Sequence, residues 1–499
     1  MLLHLMNRVV SVDPEHHQLT VDAGMTIIEL ANAAEANNMS IRAGAYSVYS
    51  NLTVGGIITA SAHGSGLGTV SSWSNLVTKI KWVNAQGEII VSDSRTEAGS
   101  KEVNALVGGL GVLGITTEIT LQLEPNSWTI IEGREKLDDT NIVADLKHML
   151  KHETPHIITY WRPDLETYRI QMFTHVAANE TLPSTAPPFH PTGRNAVLAP
   201  VDDRIGGFLG ELMAAWVGDV ADESTDAHII NEGFCGTEAV ILFSGEDGTP
   251  ISHAVVPTNY AMIRPECAPK CIFNAQHTKS SAEDMEFTIK VSQLEVWVED
   301  VKATVKAELQ EVQDRLDKRY GEGKVKRCLP PGFMWIRFGQ GSKSLLATGA
   351  GTEDVAFVQW APLTTAMFPS KPGKQFTMIQ TIEQLSLCKY KARPHWGKNH
   401  ERVFRHPKCH VRDNYPTANI DQVIQMQGRH YPQKVFEPEL FSHLLKRDGP
   451  EYSDLCTLHY WCYCRKDHHC PKRHTCQPSP VFPEYKVCRL VVDNQHDEL

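Results

Sequence analysis

The stretch Gly44-Ala-Tyr-Ser-Val-Tyr-Ser-Asn-Leu-Thr-Val-Gly-Gly-Ile-Ile-Thr-Ala-Ser-Ala-His-Gly-Ser-Gly66 decides how this chain is read. Gly55 and Gly56, then Gly64 and Gly66, lack the side chains that keep a ligand away from main-chain N–H groups. Thr59, Ser61 and Ser65 add hydroxyl donors, and His63 lies between the two glycine pairs. A lone Gly-Gly reads as an ordinary connection between strands. Two such bends, one short apolar turn apart, predict backbone that wraps a phosphate-bearing ligand.

Strand patterns lie on both sides of this stretch. Val9–Val12 and Leu19–Val21 read as strands joined by Asp13-Pro14-Glu15, with a helix over Thr26–Asn37. Downstream, Val77–Val83 and Glu88–Val91 flank Asn84-Ala85-Gln86-Gly87, a hairpin turn in which glycine supplies positive φ. The run Val107-Gly108-Gly109-Leu110-Gly111-Val112-Leu113-Gly114-Ile115-Thr116 then feeds the alternation Thr117–Leu123. Glu124-Pro125 closes a first domain over 1–125, because proline cannot continue a ladder.

At 499 residues and 41% hydrophobic content, the chain has material for two or three packed domains. A net charge of −11 and a pI near 6.1 argue against a nucleic-acid binder and against an anionic membrane surface as the main partner. No apolar run reaches bilayer-spanning length, and Met1–Met6 is too short and poorly flanked for a signal peptide.

Residues 126–391 read as a second, α+β domain that caps a substrate. Ile157–Trp161 and Ile170–Phe173 have strand character, Leu182–Gly193 that of a surface loop, and Gly206–Val217 that of a helix. Leu294, Trp297, Val301, Val305, Leu309, Val312 and Leu316 form one stripe of a long helix that packs on a sheet. Two motifs carry chemistry. In the strand Met334–Phe338, Trp335 and Arg337 share a face. After a helix over Gln380–Lys389 comes Arg393-Pro394-His395-Trp396-Gly397-Lys398, within a segment 392–449 that returns to the ligand site. The last part, 450–499, is a Cys-rich tail. Cys456, Cys462, Cys464, Cys470, Cys476 and Cys488 fall in one Pro-bearing segment with too little apolar material for its own core. Such density predicts disulfides and an oxidising compartment, with connectivity undetermined. Zinc is the competing reading, since His459, His468, His469 and His474 lie among the cysteines, although two clear Cys-x-x-Cys pairs are lacking.

Thr53-Val54-Gly55-Gly56 followed by Ala62-His63-Gly64-Ser65 resembles the flavin-binding segment of the vanillyl-alcohol-oxidase superfamily. His395-Trp396-Gly397-Lys398 narrows the resemblance to the aldonolactone oxidases, and the tail narrows it to the plant-type L-gulonolactone oxidases. The resemblance implies an α+β fold with a two-part FAD-binding domain and a cap domain. It also implies strands and a pyrophosphate loop upstream of residue 9, so no residue here is assigned covalent attachment. FAD is the implied cofactor, bound by Thr53, Val54, Gly55, Gly56, Thr59, Ala60, His63, Gly64, Ser65, Leu113, Gly114, Ile115, His395 and Lys398. Arg337, His395 and Lys398 are the implied catalytic residues, with Trp335 standing where the family often has the acid of Glu-x-Arg. The implied reaction is oxidation of an aldono-1,4-lactone by hydride transfer to flavin N5, with oxygen as acceptor, giving ascorbate or an analogue and hydrogen peroxide. The partners are then a small sugar lactone and oxygen, with no nucleic acid, no metal and room for peripheral membrane association. By resemblance and tail cysteines the location is secreted or endomembrane. Two other classes remain open: a catalytically silent relative that binds carbohydrate at the cell surface, and a zinc-binding interaction protein resting on the tail.

Overall fold

Period-two alternation builds the first sheet. The computed structural model describes residues 5–47, 49–182, 253–263, 280–282, 284–323, 329, 333–360, 363–365, 377–430, 437–472 and 474–490. In it β1 (Val9–Asp13), β2 (Gln18–Asp22), β4 (Val77–Val83), β5 (Ile89–Asp93) and β6 (Ile115–Gln122) form a sheet of order β1-β2-β6-β4-β5. All neighbours are antiparallel. Leu19, Val21, Ile80, Trp82, Ile119 and Leu121 are buried and share a core with Leu30 and Ala34 of α1 (Ile27–Ala36) and with Val54, Ile57 and Ile58 of α2 (Val54–Thr59). Thr26 starts α1 as a capping box, its hydroxyl accepting from Glu29 N while the Glu29 carboxylate accepts from Thr26 N. In the β4–β5 turn Gly87 takes φ +79°, and the Asn84 side chain accepts from Gln86 N and Glu88 N. The expected strand stop at Glu124-Pro125 is instead a two-residue strand, β7, paired with β3 (Met39–Ser40). So short a ladder tolerates proline's missing donor.

The second sheet has eight strands. These are β8 (Trp128–Asp138), β9 (Ile157–Arg162), β10 (Thr167–Val176), β11 (His253–Pro257), β13 (Met285–Lys290), β14 (Met334–Gly339), β15 (Val355–Trp360) and β17 (Arg393–Pro394), in the order β11-β8-β10-β9-β14-β15-β13-β17. β12 (Ser280–Ala282) and β16 (Leu363–Thr365) pair separately. Register sorts the side chains. Met285, Phe287, Met334, Ile336, Val358 and Trp360 face one way and share a core with α5 (Leu294–Tyr320) and α6 (Thr377–Cys388), which follow α3 (Glu97–Leu106) and α4 (Ile142–His152) in the chain. On α5 the expected stripe holds from Leu294 to Leu309: Leu294, Trp297, Val301 and Val305 are buried, Leu309 packs against the same core, and Trp297 Nε1 donates to Ser386 Oγ of α6 at 2.9 Å, while the side chains of Val312 and Leu316 lie outside what is described. The helix expected over Gly206–Val217, and the loop over Leu182–Gly193 beyond its first residue, lie outside the described residues.

Three disulfides close the tail: Cys456–Cys462, Cys464–Cys476 and Cys470–Cys488. These six sulfurs are therefore bonded to one another, as the disulfide reading expected and the zinc reading did not. A fourth bridge, Cys388–Cys409, joins the end of α6 to the segment beyond residue 401 and was not foreseen. The tail, with its hairpin β18 (His474–Pro478) and β19 (Lys486–Leu490), docks through polar anchors. Arg489 donates to Glu308 at 2.6 Å and to Glu311 at 2.9 Å on α5, and Tyr463 Oη donates to Glu383 of α6 at 3.0 Å. Among the described residues no helix is long and apolar enough to cross a membrane.

Candidate active site

On the face of the second sheet opposite α5 and α6, the register aligns Tyr160, Trp335, Gln359 and Glu286 in one row across β9, β14, β15 and β13. Arg337, Phe357 and Thr288 form the next row. Glu286 is the centre. Its Oε1 lies 2.6 Å from His63 Nε2, and its Oε2 accepts from Lys398 Nζ at 2.7 Å and from Arg337 Nη2. Gln359 Oε1 accepts from the same two cations at 2.9 and 2.5 Å, and its Nε2 donates to Asp284 Oδ1 at 2.9 Å. The His63 ring stacks on Phe357 at 3.5 Å and lies 5.8 Å from the ring of His395.

The His-Trp-Gly-Lys turn is held by its own neighbours. β17 pairs with β13, so His395 N donates to Glu286 O at 2.9 Å, and Asn399 Nδ2 donates to the same carbonyl at 2.7 Å. Trp396 lies between Phe404 and Tyr415 with centroids 5.7 and 5.8 Å away, and its Nε1 donates to Leu346 O at 2.8 Å. Gly397 N donates to His395 Nδ1 at 3.1 Å, so the neutral imidazole carries its proton on Nε2.

Electrostatics separates the carboxylates. Burial would raise Glu286, but His63, Lys398 and Arg337 outweigh it and hold the acid well below its usual range. Burial lowers His63, opposed by Glu286. It also pulls Lys398 down, again against Glu286, and takes His395 to about 3. Asp284 goes the other way: burial raises it to about 6, against the pull of Lys398. Two cations already on Glu286 disfavour a divalent ion among His63, Glu286 and His395.

The structure brings His63, Arg337, His395 and Lys398 together. Ser65 joins from behind, its Oγ accepting from Phe338 N at 3.1 Å beside Arg337. Thr53, Val54, Gly55, Gly56, Thr59 and Ala60 form α2 and its caps, with Thr53 Oγ1 accepting from Gly56 N. Described backbone bonds of α2 reach Ala23, Met25 and the segment 108–110, with Gly108 N donating to Ile58 O and Leu110 N to Thr59 O. Leu113 and Gly114 lead into β6, whose first residue Ile115 pairs with Val83 of β4, and a Cβ on Gly114 would meet Val83 O at 2.3 Å. The glycines also have a packing role that the sequence reading did not give. The N–H groups of Gly55, Gly64 and Gly66 donate to Ala23 O, Ser71 O and Phe338 O, and a Cβ on Gly64 would stand 2.2 Å from Gly44 O. These glycines admit neighbouring backbone. Sequence reasoning missed Glu286: Trp335 does leave the Glu-x-Arg position without its acid, yet β13 supplies a carboxylate to the same guanidinium. The available signal was an acid inside the otherwise apolar strand Met-Glu-Phe-Thr-Ile.

Residues 1–93 match the FAD binding domain family. Along 98% of its length the chain is 26% identical to probable L-gulonolactone oxidase 6 of Arabidopsis thaliana, covering 78% of that protein. It is 27% identical to L-gulonolactone oxidase 5 of the same plant, over 97% of this chain and 80% of the relative. Among solved structures, a solvent-stable cholesterol oxidase superposes with a TM-score of 0.61 at 15% identity, covering 88% of this chain and 84% of the other. In sequence the chain is thus similar to the plant L-gulonolactone oxidases, and its fold is an FAD-binding fold of the vanillyl-alcohol-oxidase type.

Proposed function

We propose that the protein is an FAD-dependent oxidase of an aldono-1,4-lactone, with L-gulono-, L-galactono- and D-arabinono-1,4-lactone as the substrates to try and oxygen as acceptor. The observation that carries this reading is the meeting of Lys398 and Arg337 on Glu286 with His63 and His395 alongside, from four distant parts of the chain. The residues fit the redox end of a flavin. Arg337 Nε and Thr288 Oγ1 are buried on this face without a partner among the described residues, and flank the Phe357–His63 stack. When bound, the flavin supplies the hydride acceptor that oxygen reoxidises.

The chain's own residues have separate tasks. Lys398 and Arg337 place positive charge where electron density grows during reduction, in surroundings dry enough to strengthen it. Neutral His395 offers Nε2–H as a donor, and Glu286 keeps the two cations from repelling each other. Trp335, half-buried with the Arg337 guanidinium 5.7 Å from its ring, offers an apolar wall for the C–H face of a sugar ring. The disulfide-closed tail supports placement in a secreted or endomembrane compartment.

A second reading has one observation in its favour: the glycine N–H groups expected to hold phosphate are spent on protein carbonyls. It is a catalytically silent relative that binds carbohydrate. Purified protein separates the two. A flavin spectrum bleached by lactone under nitrogen, with peroxide on readmitting air, supports the oxidase; a colourless protein that binds the sugar supports the silent relative.

A further inference from the structure

Taking hydride from an alcohol carbon leaves a hydroxyl proton that needs an acceptor. Most titratable groups of the cluster are unavailable by their own contacts. Both Glu286 oxygens are occupied, by His63 on one side and two cations on the other. Lys398 is committed as a donor to Glu286 and Gln359. His395 receives a hydrogen bond at Nδ1, which leaves its proton on Nε2, and both nitrogens of His63 face protein oxygens.

Asp284 differs. It lies two residues before Glu286, at the mouth of β13, and is half-buried. Its Oδ1 accepts from Gln359 Nε2, and Oδ2 has no hydrogen-bond partner among the described residues. Gln359 cannot turn round, because its carbonyl oxygen is gripped by Lys398 and Arg337, so its amide hydrogens must point at Asp284. The carboxylate is therefore aimed by a clamped neighbour, with one oxygen left over.

Resting on the oxidase reading above, we propose that Asp284 takes the hydroxyl proton of the substrate alcohol while Gln359 holds the carboxylate in position. The O–H bond breaks toward Asp284 Oδ2, the C–H electron pair leaves as hydride to the flavin, and the C=O bond forms. Asp284 then returns the proton to water. Its surroundings suit the task. Burial raises the acid to about 6 while Lys398 and Arg337 pull it down and Glu286 pushes it up; Tyr49, exposed nearby, is the other titratable group that faces it. The base is ionised above that value, close to the working range of a cell.

The test is Asp284→Asn in the full chain. In the parent protein, infrared titration is expected to show a carboxyl group protonating near pH 6, and the variant is expected to lack that band. By rapid mixing, lactone-driven flavin reduction is expected to rise with pH through the same region in the parent. The variant is expected to be about 10²–10⁴-fold slower and flat with pH, at unchanged lactone affinity. Gln359→Leu is expected to retain flavin and slow reduction less, with the pH midpoint displaced. A variant as fast as the parent, or one whose loss lies wholly in lactone affinity, would overturn the assignment while leaving the oxidase reading intact. A parent protein that lactone never reduces would remove both.

Discussion

Two carboxylates, Glu286 and Glu383, are completely buried, and they are used in different ways. Glu383 faces Arg402 through two parallel bonds of 2.8 and 3.0 Å, with the Tyr463 hydroxyl at 3.0 Å, and both ion-pair side chains are at most 1% exposed. It is sealed. Glu286 is equally buried but gathers His63, Arg337 and Lys398; Lys398 is 21% exposed and Arg337 keeps a buried nitrogen without a partner among the described residues. The sealed pair ties α6 to the helix turn that carries Arg402, with Tyr463 of the tail added, whereas an ion cluster with open valence at its edge can still meet a ligand. Burial alone does not tell structure from chemistry; unspent donors do.

Acid should strain both regions most. Burial takes His395, in the open cluster, and His406, beside Tyr463 near the sealed one, to about 3. Each stays neutral in the fold and protonates in the unfolded chain, so its stability contribution is complete above about pH 6.5 and is lost as pH falls toward 3. Each unit of such a shift is worth about 1.4 kcal/mol. Urea unfolding across this range is expected to lose less stability in His395→Asn and in His406→Asn than in the parent. Profiles identical to the parent would mean that neither imidazole is held neutral. Glu286 adds a further loss only below about pH 4.5, because its acid is depressed from there.

Removing the sealed charge comes next. Glu383→Gln is expected to cost about 3–5 kcal/mol in denaturant unfolding, since Arg402 is left buried without its counter-charge, while flavin reduction per folded molecule stays at the parent rate. Lys398→Met should show the converse, with reduction about 10²–10³-fold slower and a smaller change in stability. Equal rates in parent and Lys398→Met would take Lys398 out of the mechanism. Between these lies the Cys388–Cys409 bridge, whose loop of 21 residues carries His395 and Lys398. Replacing both cysteines by serine is expected to lower stability by about 3 kcal/mol and to slow reduction as well, which couples the two readouts that the carboxylates keep apart. Tyr463→Phe is the mildest, about 1.5 kcal/mol in unfolding with no change in reduction.

Much of the fold was legible because period and punctuation are local. Leu294 to Val305 announced their own helix, and the alternation from Thr117 and the Asn84–Gly87 turn announced a hairpin-rich sheet. His395 and Lys398 were legible as a motif and do sit beside His63. Glu286 was not, since nothing near residue 286 says that β13 will lie next to β15 and so beside Arg337. The packing role of the glycines was not legible either, for a related reason. A missing Cβ shows that something approaches, but at Gly64 the visitor is the Gly44 carbonyl.

From residue order alone came the strands, the long helix, the cysteine-bonded tail and the identity of the cations. Sheet order and strand register, which bring together residues 51 and 112 positions apart, decided that those cations share one buried carboxylate. They also left Asp284 beside them with an oxygen unpaired among the described residues, because a side chain's charge state and partners are set by whatever packs around it, and no local pattern carries that information.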